Sequence, residues 1–179
     1  MTVGPSGFDP SGAIPNCETG IVYDDIFAVW ASMAGLSPSA ASPETIVGWG
    51  GADVAYEIRP AGARFAVVKV ERSASVVGTF SDLTSAACLL ILLIGRIWRS
   101  QERLPRAEAA EPAPETEIDA GPVSTDLRWA GGDAEFAPGR PGRFMATDVS
   151  HLVWRTPQEI TTALLMPDAS GLFADRRVE

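Results

Sequence analysis

The chain has little of what most often carries chemistry. In 179 residues there is one histidine, His151, there are two cysteines, Cys17 and Cys88, and there is a single lysine, Lys69. A zinc site would have to combine His151 with two distant cysteines and carboxylates, and none of the usual ligand spacings occurs, so no metal or other cofactor is expected. The cysteines sit in unlike surroundings, Cys17 in a Gly/Pro-rich leader and Cys88 in an apolar stretch, which is not the pattern of a disulfide-stapled secreted domain; both are expected reduced. Positive charge is also scarce. Fourteen Lys and Arg against twenty-three Asp and Glu give a formal charge of −9. Phosphate backbones and anionic membranes should repel such a chain, whereas a basic protein would be drawn to it. The first residues, MTVGPSGFDPSGAIPN, contain neither a basic residue nor an apolar run, so no secretory signal is expected and the address is read as cytoplasmic. Nor is there a long hydrophobic run: residues 86–94 are apolar all round, but a bilayer needs about 20 such residues, and Arg96 and Arg99 close this one. A buried core helix with Leu89 to Leu93 shielded from water is the better reading, its arginines placed to favour the helix's own negative end.

What is present reads as one α+β domain spanning 1–179. At 46% hydrophobic and 21% charged residues the composition is that of a globular protein. Residues 1–20 read as a flexible arm, because Pro5, Pro10 and Pro15 alternate with glycines. Ile26, Val29, Trp30 and Met33 recur at helical spacing, and Gly35 stands where a C-terminal cap belongs. TIVGWG, DVAYEIRP, ARFAVVKVER and SVVGTF then predict an antiparallel meander, with Val54, Tyr56 and Ile58 on a buried face and Asp53, Glu57 and Arg59 on a wet one. The apolar helix follows, with Ser81 or Asp82 as its cap. Residues 105–122, PRAEAAEPAPETEIDAGP, are rich in Pro, Ala and Glu and read as a flexible linker without a core. Beyond it LRWAG, AEFAP, GRFMATDV and HLVW are strand candidates, and TPQEITTALL opens a helix with a capping box of Thr156 and Glu159. The fold class is therefore α+β, with two antiparallel β-meanders and packed helices. A meander followed by a helix occurs twice, as a pseudo-repeat without a shared residue pattern.

No catalytic set stands out. A Cys–His pair would need Cys88, which should be buried and inert, or Cys17, which lies on the arm. Gly48, Gly50 and Gly51 follow a strand without the helix or Lys-Ser/Thr that a phosphate loop needs, so a hairpin turn fits better. Trp30, Trp98 and Trp154 lie in patterned apolar segments. Trp49 and Trp129 stand at strand ends beside glycines, where an exposed indole could anchor a partner, although a core position is the commoner outcome.

Three stretches carry a family resemblance: DDIFAVWASMAG near the start, the apolar helix ending RIWRS, and TPQEITTALLMPDASGLF at the end. In this order they resemble the actinobacterial immunity proteins of polymorphic toxin systems, the family that includes the mycobacterial immunity factor for tuberculosis necrotizing toxin. The resemblance implies a non-enzymatic α+β binding protein that plugs the active site of a secreted NAD+ glycohydrolase and so protects the producing cell. The expected partner is a cognate toxin, bound one-to-one. From strand alternation the expected contact residues are Asp53 and Glu57 in the first meander and Trp129, Asp133 and Glu135 in the second. An acidic cytoplasmic chaperone for a secreted effector would share the charge and the lack of catalytic groups; an open apolar groove would distinguish it.

Overall fold

A computed structural model describes residues 28–39 and 44–173. The arm 1–20 and Cys17 lie outside the described residues. Residues 28–33 are helical (α1) and end as the glycine predicts. Gly35 has φ +69°, the amide of Leu36 donates to the carbonyl of Ala31 at 2.7 Å, and that of Gly35 donates to Ser32 at 3.1 Å. This pair of bonds is the Schellman arrangement, which needs a left-handed residue after the last turn.

Eight strands follow among the described residues: β1 (Ser37–Pro38), β2 (Val47–Gly50), β3 (Ala55–Ala61), β4 (Arg64–Val70), β5 (Ala74–Phe80), β6 (Glu117–Ala120), β7 (Thr125–Trp129) and β8 (Gly132–Phe136). They form one antiparallel sheet in the order β1-β2-β3-β4-β5-β8-β7-β6. The two expected meanders are thus halves of one sheet. Their seam is short, with only Thr79 opposite Glu135 and Phe80 opposite Ala134. There a ring approaches backbone closely: a Cβ on Gly78 would come within 2.7 Å of the Phe136 ring, so only glycine admits that ring beside β5.

The helices are α2 (Leu83–Gln101), α3 (Arg140–Ser150), α4 (Pro157–Leu165) and α5 (Ser170–Phe173). Asp82 caps α2 by accepting from the Ser85 amide at 2.8 Å, and Thr156 with Glu159 closes the capping box of α4. One side of α2 lies on β3, β4 and β5 and another on α4, while α3 covers β6, β7 and β8. By length and composition α2 could cross a membrane, but Leu89, Leu90, Ile91 and Leu92 are wholly enclosed by protein. Leu93, expected to share that burial, is only half-buried. Contact between α2 and α4 is close because Gly95 has no side chain; a Cβ there would reach Leu164 at 2.6 Å.

Two expectations are corrected by the packing. GRFMATDV is not a strand but most of α3, and the HLVW stretch is the turn after it. Its buried positions, Gly142, Ala146 and Val149, recur at helical spacing, and Pro141 suits the first turn, so the helical period outweighs the β-prone Phe144, Met145 and Val149. Residues 105–122 are not a contact-free linker. Glu117–Ala120 are β6, and the preceding stretch is strapped along α2 and α3 by its backbone. Arg96 donates to the carbonyl of Ala107, Asp148 accepts from the Ala109 amide at 2.8 Å, Ser150 accepts from the Ala113 amide at 2.8 Å, and the His151 ring meets the carbonyl of Glu111 at 2.9 Å. Ala107 and Ala113 are buried. Main-chain bonds hold this strap, so a side-chain composition poor in apolar groups gave no sign of it.

Limited proteolysis is therefore expected to leave residues 105–113 intact in the folded protein. Asp148→Ala removes the acceptor for both Ala109 and Arg96, whose Nη2 lies 2.7 Å from the carboxylate. It should expose the strap to cleavage and cost about 2 kcal/mol or more. Ready cutting of the wild-type strap would contradict the packing described.

Candidate partner interface

The helices α2 and α3 pack on the core face of the sheet, with α4 against α2 and α5 against α4, and the candidate site is the opposite face. That outward face has two unlike halves. On the β3–β4 half Glu57, Ala66 and Val68 are buried. On the half formed by β6, β7 and β8, alternation turns Thr125, Leu127, Ala134 and Phe136 inward to the core and Glu117, Asp119, Asp126, Arg128, Asp133 and Glu135 outward. The register places three outward carboxylates in one row across the strands: Asp119 is opposite Asp126, and Asp126 is opposite Glu135, with Thr79 of β5 next. Asp126 accepts from the Ser124 hydroxyl at 3.0 Å, and Arg128 stands 3.8 Å away. Among the described residues Asp119 and Glu135 have neither a hydrogen-bond nor an ion-pair partner.

Beside this row, where β5 and β8 diverge beyond their two paired residues, lies an open cleft of about 190 Å³. Val76, Val77, Thr79, Val123 and Glu135 are among its lining residues. Val76 and Val123 are 58% and 82% exposed, so apolar surface borders the acidic row.

The five residues expected to contact a partner are not brought together. Glu135 is exposed on the outward face. Asp133 is there too, but it is tied into the scaffold: its carboxylate meets Arg64 at 2.6 Å and its amide donates to the Ser81 hydroxyl. Trp129 faces the other way, half-buried against the core beside Gly132, so it shares no surface with the acids. Asp53 lies at the opposite end of the sheet, in a cleft of about 640 Å³ with Lys69, Glu71, Arg72 and Ser75. Glu57, expected on a wet face, is fully buried. Its carboxylate accepts from Thr45 at 2.9 Å and pairs with Arg59 at 2.7 Å. Asp119 and Asp126 were missed. The alternation of EIDA and TDLRW would have revealed them, had β6 not been assigned to a linker.

A third cleft, of about 580 Å³, lies between α2 and β3 and includes Tyr56, Leu93, Ile97, Met145, Arg96 and Arg106. Its arginines are already engaged, Arg96 with Asp148 and Arg106 with Glu108. Among the described residues the histidine and the cysteine are both buried. His151 is buried, edge-on to Phe173. Burial pushes the Cys88 thiol up to about 12, with the Asp82 charge adding to the shift. Alkylation near pH 8 is therefore expected to label Cys88 only after unfolding, as peptide mapping would show. The same shift gives stability that is complete below the thiol's ordinary pKa of 9.0 and is lost as pH rises from there towards about 12, because only the unfolded chain releases the proton. Among the described residues no three His, Cys, Asp or Glu side chains converge on a metal position.

A single antiparallel sheet backed by helices on one side, with a charged, apolar-edged outward face on its β5–β8 half, defines an α+β protein. The sequence profile of Immunity protein 61 (Imm61) matches residues 30–172, and the chain belongs to that family. No curated protein matches it. Among solved structures the chain is similar to Rv3902c from M. tuberculosis, with a TM-score of 0.65 at 17% identity, covering 86% of this chain and 94% of that one. At that identity the likeness concerns the fold.

Proposed function

We propose that this chain is the cytoplasmic immunity partner of a secreted NAD+ glycohydrolase toxin, which it binds one-to-one across the active site. The observation that carries the reading is the match to an immunity family over residues 30–172. The NAD+ glycohydrolase assignment comes from the resemblance of DDIFAVWASMAG, RIWRS and TPQEITTALLMPDASGLF, and electrostatics favours it: a pocket that holds the phosphates of NAD needs cationic surroundings, and an inhibitor of charge −9 is attracted to them. Blocking requires a rigid surface, not catalytic groups.

Co-expression tests the reading. Cells producing a toxin domain of this type from the same genome should survive when they also produce this chain, and the two proteins should co-purify in equal amounts. Killing undiminished by the chain, for every such toxin of that genome, would refute the proposal.

A further inference from the structure

We infer that the outward face of β5–β8 docks a basic segment of the partner, whose Lys or Arg head lies on the Glu135–Asp126–Asp119 row while its methylene stem or an apolar neighbour fills the Val76–Val123 cleft.

Three observations on this uncovered sheet face support the inference, which rests on the immunity reading. The first is a cost that the scaffold offsets only at Asp126, through Ser124 and Arg128. Like charges directly opposite on neighbouring strands destabilise a sheet, yet here they are opposed twice in succession, Asp119 with Asp126 and Asp126 with Glu135. Local rules are typically broken in this way where a surface has a use. The second is shape. Val76, Val123 and Thr79 border the cleft that Glu135 enters, and Lys and Arg suit such a site because each buries an apolar stem while its charge reaches further. The third is charge complementarity, which argues against two other occupants, a second copy of this chain and residues 1–58. A symmetric dimer through this face would bring identical acidic rows together. Residues 1–58 contain no basic side chain, so that part of the chain cannot supply the cation. A separate basic protein can.

Neutralising the row should therefore strengthen the isolated fold and weaken binding, an opposition that a merely structural role would not produce. The paired change Asp126→Asn with Glu135→Gln is expected to raise Tm by ~1–3 °C. It should also lower toxin affinity about tenfold and flatten the salt dependence of association. Asp126→Lys with Glu135→Lys should weaken binding about a hundredfold or more. Asp53→Lys, at the far end of the sheet, should leave affinity within about twofold. Full affinity in the lysine pair, or a loss confined to Asp53→Lys, would overturn the surface while leaving the immunity reading intact. A wild-type protein that binds no toxin would remove both.

Discussion

Replacing Arg99 by methionine is expected to cost about 3–5 kcal/mol of folding stability, the largest effect of any single side chain outside the apolar core. Arg99 is 1% exposed, and its guanidinium donates to four carbonyls: Pro105 at 2.9 Å, Leu164 at 2.6 Å, Met166 at 2.7 Å and Pro167 at 2.8 Å. The last three end α4, so one side chain on α2 satisfies carbonyls that the α4 helix cannot bond internally. Burial lowers the guanidinium pKa from its ordinary value, with Asp168 opposing that shift, and the group stays charged at neutral pH. Methionine fills similar space but leaves those acceptors buried without donors. At this chain length the loss corresponds to a Tm drop on the order of 10 °C, measurable by calorimetry. A variant within about 1 kcal/mol of wild type would mean that water replaces the guanidinium and that α4 is not held by it.

Changing Glu57 to lysine should be nearly as costly, about 3–5 kcal/mol, because it buries a positive charge beside Arg59 where a carboxylate had neutralised it. Glu57→Gln keeps the shape and the acceptor for Thr45 and should lose roughly half as much. Denaturant titration of the two variants separates burial from exposure. If Glu57→Lys folds with unchanged stability and alters only the rate of partner association, the β3 face is wet, as its alternation suggested.

Glu57 marks the limit of what alternation along a strand can reveal. Alternation of Val54, Tyr56 and Ile58 with Asp53, Glu57 and Arg59 located β3 and identified Tyr56 and Ile58 as buried. It could not reveal that the opposite face is buried as well at Glu57, because burial there is set by tertiary packing, in which Thr45 and Arg59 also bond the carboxylate. Signals local in sequence were legible: the Gly35 cap, the Asp82 cap, the Thr156–Glu159 box and the uniform apolar centre of α2. Arg99 stands in the last turn of α2, where its charge favours the helix's negative end as its position suggested, but the hydrogen bonds of Arg96 to the strap and of Arg99 to the end of α4 join segments far apart in sequence and had no local signal. The acidic row was hidden for a related reason. Residues 105–122 have the composition of a linker, but their backbone amides and carbonyls, which composition does not describe, bond to Arg96, Asp148, Ser150 and His151. Once β6 is restored to the sheet, the outward face of the second meander and its three aligned carboxylates follow from register alone.

Whether the chain stops a toxin by occupying its active site is read from a titration of NAD turnover. Purified chain is added in steps to a fixed amount of the cognate NAD+ glycohydrolase while NAD loss is followed. On the proposed function the rate falls linearly and reaches zero at one equivalent. A stable one-to-one complex in which NAD is still consumed at the rate of the free toxin would contradict it and would leave the chain as a chaperone for that toxin.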